Sequence, residues 1–288
     1  MATRFELVLH GEDAAHLRAA GEASLDELER LEEQLSFFRP TSELAAVNRW
    51  GADQPITVDS RLIGLLERCK EVSKATGGAF DPTIGPVIRV SRLADHGMPQ
   101  DNWTAATARG AVGFDGVEID PEACTVRFAR PGMALDLGAA GMGYAMDRAI
   151  EMLRERGVAS ACLRGGTSSA HVIGTPPGDP AWKVEWEAPE GSAATNRVLA
   201  LVDQAVSFSG QLNRSPGGGL HLERQVRDPR TGDVVAHTLA AGVIGPSSLM
   251  CDMLSTALLV GGRPWLAEMT ARFSEYEGWV AEPALADT

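Results

Sequence analysis

Leucine and alanine residues recur at three- and four-residue intervals from position 12 to about position 34, which predicts a long amphipathic helix. Three later segments share this spacing, so four helices are predicted, over 12–34, 58–78, 143–158 and 247–262. Asp59 or Ser60 caps the start of the second helix, and Gly77 ends it. A shorter helical turn is predicted within 36–50.

Short segments that alternate, or that are apolar throughout, predict the strands. These segments are 3–9, two strands within 116–130, then 133–137, 159–166, 182–188, 199–210 and 239–245. The segment 199–210 predicts a strand followed by a turn, and the Gly/Pro-rich segment 78–88 predicts a loop. A hairpin turn is predicted from Pro229 to Gly232.

The predicted strands and helices do not alternate regularly, which argues against a βαβ array. Their order predicts an α+β fold in which mixed or antiparallel sheets pack against helices. The chain has 288 residues, with neither an internal repeat nor a linker long enough to separate independent domains. We therefore expect one domain over 1–288, built as two intimately joined lobes.

Composition narrows the class of protein. Hydrophobic residues make up 44% and charged residues 23%, an ordinary balance for a soluble globular protein. The net charge of -13 argues against nucleic-acid binding, which needs clustered Lys and Arg. The four cysteines form no CxxC pair and are expected to be reduced, and no apolar run approaches a membrane span. The sequence as given predicts a cytoplasmic protein.

Asp136 ends an apolar run and leads into glycines at 138, 141 and 143. The helix that follows is expected to begin near Ala140 or Gly141. Its free N–H groups and the positive end of its dipole would make an anion site, and the glycines would let a ligand approach the backbone. The alternative is a tight strand-to-helix turn in which Asp136 serves only as a cap.

Asp252 and Thr256 stand four residues apart in the last predicted helix and therefore share one of its faces. The flanking residues are apolar, so this helix should be largely buried. A carboxylate there needs a cation, hydrogen-bond donors or a metal, and carboxylate and hydroxyl oxygens suit Mg²⁺. The alternative is a partly solvated Asp near the helix start. The six histidines show no metal-ligand spacing, and the "VSFSG" segment lacks a GxSxG elbow.

Taken in order, these segments resemble the FAD:protein FMN transferases, the ApbE family. The resemblance runs through most of the chain. It rests on the motifs "MATRFEL", "LEEQLSFFRPTSELAAVN", "TGGAFDPTIGPV", "LDLGAAGMGYAMDRAIEMLRERGV", "VSFSG", "DPRTG" and "CDMLSTALLVGG". No single motif is specific by itself, but the ordered set is.

The resemblance implies an FAD molecule bound between two lobes, with its pyrophosphate near Mg²⁺. The implied nucleotide-site residues are Asp81, Thr83, Asp136, Gly138, Met142, Ser209 and Gly210. The implied metal ligands are the backbone carbonyl of Ala139 and the side chains of Asp252 and Thr256. The implied reaction is phosphoryl transfer, in which a Thr or Ser hydroxyl of a flavin-accepting protein attacks the FMN phosphate and AMP leaves.

The sequence departs from the family pattern at several polar positions. The family's Lys is Met142 here, and its His before the Asp-Pro motif is Gln225, which cannot act as a base near pH 7. Leu163 and Thr167 stand at polar positions of the family's Asn-x-Gly-Gly-Asp segment, and Gln211 replaces an aromatic residue. The family's Trp after the Gly-Pro loop is also absent. No catalytic base is therefore assigned.

Three functions remain open at this point. The first is FMN transfer from FAD, with the missing cation replaced by Arg164, Arg224 or Arg227 and the missing base by His221. The second is a catalytically impaired flavin-binding or regulatory protein on the same scaffold. In the third, the scaffold binds another ligand and carries out another reaction. In the first two, the partner is FAD or a related nucleotide.

Overall fold

The computed structural model describes residues 3–95, 104–210, 213–214, 220–221 and 226–284. The chain divides into two compact units. The first unit comprises residues 1–31, 140–226 and 235–288, and the second comprises 32–139 and 227–234. None of the helices in the described part of the chain combines the length and apolarity that crossing a bilayer requires.

The helices are α1 (Ala14–Leu35), α2 (Glu43–Trp50), α3 (Ser60–Ala75), α4 (Gly85–Asp95), α5 (Ala105–Gly110), α6 (Gly141–Glu155) and α7 (Ser248–Arg272), with 3-10 helices at Pro82–Ile84 and Phe114–Gly116. The strands are β1 (Phe5–Leu9), β2 (Ile56–Thr57), β3 (Val117–Asp120), β4 (Thr125–Phe128), β5 (Ala161–Gly165), β6 (Ser169–Ile173), β7 (Trp182–Trp186), β8 (Arg197–Leu201), β9 (Ala205–Gly210), β10 (Asn213–Arg214), β11 (Leu220–His221), β12 (Ala240–Gly245) and β13 (Glu277–Ala281). Helix α7 is interrupted at Gly262, whose φ of 64° is not helical.

A six-stranded sheet with the order β1-β5-β6-β9-β12-β13 forms the centre of the first unit. Each neighbouring pair of strands is antiparallel. The predicted α+β class with antiparallel sheets and helices is therefore confirmed. Strands β6 and β9 lie in the middle of the sheet; all of β6 and the first three residues of β9 are buried.

The two faces of this sheet bury different partners. Leu163 belongs to an apolar cluster with residues of α1 and α6, such as Leu28 and Ile150. The neighbouring Cys162 points to the opposite face and packs with Trp186 of the β7–β8 hairpin. This alternation follows from the two-residue period of a strand, and it assigns the helices to one face and the hairpin to the other.

Helices α6 and α7 approach each other closely at Gly143. A Cβ atom added at Gly143 would collide with the carbonyl oxygen of Ser248 and would lie 2.8 Å from Oδ2 of Asp252. Only glycine leaves room for this contact. The sequence suggested that the glycines let a ligand approach the backbone, but at Gly143 the group that approaches is the protein's own helix α7.

The second unit contains helices α2 to α5 and a three-stranded antiparallel sheet with the order β2-β4-β3. Asp59 caps α3 by accepting a hydrogen bond from Arg61 N, and Gly77 follows the helix with a φ of 58°. The two strands predicted within 116–130 and the tight turn after Asp228 are present. The predicted cap, stop and turn are thus confirmed.

Two predicted elements of the second unit are wrong. Residues 133–137 form no strand, because their backbone groups bond elsewhere: Asn48 pairs with both backbone groups of Leu135, and Asp136 N donates to Pro82 O. The predicted loop 78–88 instead contains a 3-10 helix and the start of α4. Pro82 suits a first helical turn, and Asp81 caps it by accepting from Thr83 N.

The strands of the first unit were incompletely predicted. Residues 199–210 hold two strands, β8 and β9, joined at Asp203, whose φ is 50°. Strand β6 was missed because all five of its residues are buried, which removes the alternation that marks a half-buried strand. Strand β13 was also missed.

Gly143→Ala tests the close contact between α6 and α7. We expect this variant to lose about 1–3 kcal/mol of unfolding free energy, because the added methyl group must push α7 away. The matched control is Gly64→Ala in α3, where an added Cβ meets nothing within 4 Å. That change should be neutral or stabilise by about 0.5–1 kcal/mol. Urea denaturation measures both, and equal stability of the two variants would contradict the contact.

Candidate functional site

Helix α7 is apolar over most of its surface but carries a polar stripe at every fourth residue, Ser248, Asp252 and Thr256. The stripe faces the sheet, where β6 and β9 present polar side chains at alternate positions. We call this group the polar seam; its members are Ser169 and His171 of β6, Ser207 and Ser209 of β9, Asp147 of α6, and Ser248, Asp252, Ser255 and Thr256 of α7. All nine residues belong to the first unit.

Asp252 lies at the centre of the polar seam and is only 5% exposed. Its Oδ1 accepts a hydrogen bond from Ser207 Oγ at 2.5 Å and a longer one from Ser169 Oγ at 3.4 Å. Its Oδ2 accepts from Gly143 N at 2.6 Å. The carboxylate is therefore held in one orientation by donors from β6, β9 and α6.

The charge of Asp252 is not matched by a cation from the described residues, because no Lys or Arg among them forms an ion pair with it. Burial raises its pKa to about 6, although the bonds from Ser207 and Gly143 act in the opposite direction. A buried acid of this kind is best stabilised by a positive ion. Its neighbours are hydroxyl oxygens, which suit a hard cation such as Mg²⁺. The oxygen donors therefore suit Mg²⁺ chemically, but the described residues contain no group of three or more His, Cys, Asp or Glu that could hold a metal ion, and the metal stays a prediction.

Thr256 stands one helical turn beyond Asp252 and is half-buried. Its Oγ1 lies 3.2 Å from Ser209 Oγ, which in turn lies 2.8 Å from Ser255 Oγ. Ser209 was predicted as a nucleotide-site residue and Thr256 as a metal ligand. The structure brings both into the polar seam with Asp252, whereas Gly210 is exposed at the end of β9.

The start of α7 is capped by a side chain from α6. Asp147 accepts hydrogen bonds from Ser248 N at 2.6 Å, Leu249 N at 3.0 Å and Ser247 Oγ at 2.6 Å. The converse also holds. Ala140, the residue before α6, offers no side-chain cap, and Asp252 of α7 accepts from Gly143 N in the first turn of α6. Each helix is thus capped by a carboxylate of the other, the half-buried Asp147 for α7 and the buried Asp252 for α6.

His171 completes the cap of α7. Its Nδ1 lies 2.8 Å from Ser248 Oγ and 3.1 Å from Oδ1 of Asp147. Burial tends to raise the pKa of Asp147, but hydrogen bonds from His171, Ser247 and Leu249 together outweigh it, so this pKa lies below the ordinary carboxyl value. The sequence missed Asp147, His171, Ser169 and Ser207. The four-residue spacing that revealed Thr256 also extends back to Ser248 and would have revealed that residue.

Met142 lies in the first turn of α6, at the position where the ApbE pattern has Lys. Its side chain packs against the apolar cluster of α1, α6 and the sheet. A Cβ added at Gly165 of β5 would lie 3.0 Å from its sulfur and 3.3 Å from the ring of Phe5. The methionine is thus a packing residue of the first unit.

Asp136 and Gly138 form a local turn in the second unit. Gly138 N donates to Oδ1 of Asp136 at 2.8 Å, and Gly138 itself is exposed. Ala139 follows and also belongs to the second unit. Asp136 therefore closes a local turn but does not cap α6, which has no side-chain cap at its start, and the described residues just before the turn form no strand. Its role toward a nucleotide, and that of Ala139 toward a metal, stay predictions.

Asp81 and Thr83 are buried in the second unit, where their polar atoms meet protein partners. Oδ1 of Asp81 accepts from the backbone and hydroxyl of Thr83, at 2.8 and 2.6 Å. Its Oδ2 accepts from Phe114 N at 3.2 Å, and Thr83 Oγ1 accepts from Gly113 N at 2.7 Å. These two residues therefore fasten two segments of the second unit, and a direct contact with a nucleotide stays a prediction.

The structure describes only some of the residues that depart from the family pattern or that could replace its missing cation and base. Arg164 is exposed on β5, and Arg227 donates to Gly232 O within the tight turn. Gln211, Arg224 and Gln225 lie outside the described residues, as does the side chain of His221.

Comparison with known proteins identifies similar sequences. The model of the ApbE family matches residues 1–278. A protein of Treponema pallidum named FAD:protein FMN transferase is 30% identical over 266 residues, which are 86% of this chain and 73% of that protein. One of Klebsiella pneumoniae with the same name is 29% identical over 234 residues, 80% of this chain and 72% of the relative.

Solved structures show the same fold. The ApbE protein of Thermotoga maritima aligns with a TM-score of 0.81 at 22% identity and covers 98% of this chain and 94% of its own. The flavinyl transferase ApbE of Pseudomonas stutzeri, in its apo form, aligns with a TM-score of 0.74 at 22% identity, covering 96% and 95%.

Asp81→Asn tests the buried acid of the second unit through pH. Burial raises the pKa of Asp81, although bonds from Thr83 and Phe114 act in the opposite direction. A raised pKa in the folded chain means that the stabilising contribution is complete at low pH and is lost as pH rises through the folded pKa. At pH 4 the variant should be less stable by about 1–3 kcal/mol, because the NH₂ group of the asparagine would face a donor, such as Phe114 N, that now bonds to the carboxyl group.

The stability deficit of Asp81→Asn should shrink as pH rises from 4 to 8. Urea denaturation across this range measures it, with the exposed Asp53→Asn as the control. A deficit that stays constant with pH, or that grows, would refute the raised pKa.

Proposed function

Because the chain belongs to the ApbE family, we propose that it transfers the FMN moiety of FAD to a hydroxyl group on a target protein, with release of AMP. The observation that carries the proposal is Asp252, a buried carboxylate that has no cationic partner among the described residues and lies beside hydroxyl groups of β6 and β9. The names of the two relatives support the choice of FAD as donor and of a protein as acceptor.

In this proposal Asp252 and Thr256 bind Mg²⁺ through one carboxylate oxygen and one hydroxyl oxygen. When bound, the ion neutralises phosphate charge and so favours displacement at phosphorus. Ser207 and the amide of Gly143 hold the carboxylate in one orientation, so Asp252 would need little reorganisation to bind an ion. The carbonyl of Ala139 remains a third ligand by prediction alone.

The nucleotide site is proposed to include Asp136, Gly138, Met142, Ser209 and Gly210. Asp81 and Thr83 would act on it by fixing the backbone around the 3-10 helix at Pro82–Ile84. Of the α6 amides, that of Gly143 already donates to Asp252, so a phosphate group would depend on other donors and on the metal. The base that takes the acceptor's proton is left unassigned.

A second candidate function is flavin-nucleotide binding without transfer. Met142 favours it, because an apolar packing residue replaces a cation that would neutralise phosphate charge. This candidate predicts saturable FAD binding, measured by fluorescence titration, with no AMP formed. The transferase proposal predicts both binding and AMP.

Asp252→Asn tests the proposed reaction. The protein is incubated with FAD, Mg²⁺ and a flavin-accepting protein, and AMP and flavin-labelled acceptor are quantified. We expect product with Mg²⁺, none with excess EDTA, and at least about 100-fold slower AMP formation by Asp252→Asn, because a metal ligand and its charge are lost.

The matched control is Asp26→Asn, which removes an exposed carboxylate of α1 and should leave the rate unchanged. AMP formation at the same rate by Asp252→Asn and by the unaltered protein would eliminate Asp252 from the reaction.

A further inference from the structure

The side chain of His171 is almost fully buried, with 2% of the residue's area exposed. This burial leaves it out of reach of molecules in solution. It lies on β6 two residues after Ser169, so both side chains point to the face of the sheet that α7 covers. Through Nδ1 it contacts one residue of α6, Asp147, and one of α7, Ser248. It is thus a three-way junction between the sheet and both helices.

The hydrogen bonds define which ring nitrogen matters. The carboxylate of Asp147 can only accept, so the ring carries its proton on Nδ1. The other nitrogen, Nε2, is buried and has no hydrogen-bond partner in the described part of the chain. A bare acceptor there costs less than an unpaired N–H, which agrees with the same tautomer. All polar contacts of His171 therefore pass through Nδ1.

The junction acts on Asp252 through the geometry of α7. Ser248 and Asp252 are one helical turn apart on the same face, so fixing the first residue fixes the direction of the second. Asp147 bonds to the first two amides of α7, and His171 holds both Asp147 and the Ser248 hydroxyl. Without Nδ1, the first turn of α7 would keep its cap but lose its hydrogen bond to β6.

We infer that His171 is a positioning residue that locks the first two turns of α7 against β6 and thereby aims the carboxylate of Asp252. Its proposed effect passes through Ser248 and Asp147, the two residues that its Nδ1 contacts. In its effect on metal binding the inference rests on the proposed function, because there Asp252 is the acid that meets the cation. The locking of α7 is independent of that function.

Two substitutions distinguish the effect of the hydrogen bond at Nδ1 from the effect of filling the space that the ring occupies. His171→Asn retains a donor near the place of Nδ1, whereas His171→Gln places its amide near Nε2 and loses the Nδ1 donor. Amide hydrogen exchange of residues 248–256 is measured in metal-free protein. We expect His171→Gln to raise exchange there by about tenfold and His171→Asn to stay within about twofold of the unaltered protein. Ser248→Ala, which removes the partner on α7, should also raise it.

The second measurement is calorimetric titration of the full chain with Mn²⁺, a spectroscopically and thermodynamically convenient analogue of Mg²⁺. We expect His171→Gln to weaken Mn²⁺ binding about tenfold, as loss of supporting contacts does at other metal sites, and His171→Asn to restore it. Asp252→Asn should abolish the binding.

The outcomes distinguish the two hypotheses. If exchange over 248–256 is unchanged in His171→Gln and Ser248→Ala, or if His171→Asn is as perturbed as His171→Gln, the positioning role is refuted. If Mn²⁺ binding is the same in Asp252→Asn, the proposed metal site is refuted, while the exchange data still decide the role of His171. If His171→Gln does not fold, Ser248→Ala and His171→Asn give the decision.

Discussion

The centre of the first unit depends on a pair of reciprocal caps: Asp147, a half-buried carboxylate of α6, caps α7, and Asp252, a buried carboxylate of α7, caps α6. Asp147 of α6 accepts from the first amides of α7, and Asp252 of α7 accepts from Gly143 in the first turn of α6. Free amides at helix starts need acceptors, and negative charge is favourable there because of the helix dipole. The arrangement is possible only because Gly143 has no side chain.

This constraint links stability to the proposed chemistry. Asp147 gains enough from its donors to remain ionised readily, whereas Asp252 has fewer donors and a pKa raised by burial to about 6. Asp147 can therefore stay ionised in the folded protein, whereas the buried charge of Asp252 has no cationic partner among the described residues. In the proposed function a divalent cation would neutralise the charge of Asp252 without changing the cap, since each carboxylate oxygen can accept from a donor and still bind an ion.

Local features of the sequence were sufficient for much of the fold. The helices α1, α3, α6 and α7, the cap at Asp59 and the shared face of Asp252 and Thr256 follow from spacing and composition over a single turn or element, whereas α4 and α5 were not predicted. The partners of Asp252 do not follow in this way, because Ser169 and Ser207 reach it only through the strand order of the sheet, which spacing along the chain does not reveal. His171 was set aside for lack of metal-ligand spacing, and its actual partners are likewise distant in sequence.

The glycines after Asp136 show the limit of reading a motif by composition. Their pattern predicted a backbone open to a ligand, which agrees with the resemblance to the ApbE family. At Gly143 the same absence of a side chain serves a helix–helix contact. An approaching ligand and an approaching helix both require glycine at this position, and the packing of α7 against Gly143 shows which of the two is present. Met142 was likewise noted as a lost cation, and the apolar cluster around it supplies the physical reason why a methionine is retained there.

The hydrogen bond between Gly143 and Asp252 can be observed directly by NMR in protein labelled with ¹⁵N-glycine. A short bond from an amide to a buried carboxylate should move the Gly143 proton resonance strongly downfield and protect it from exchange with solvent. In Asp252→Ala both properties should disappear. A Gly143 resonance at an ordinary position that exchanges rapidly, or one that is unaffected by Asp252→Ala, would contradict the reciprocal caps and everything inferred from them.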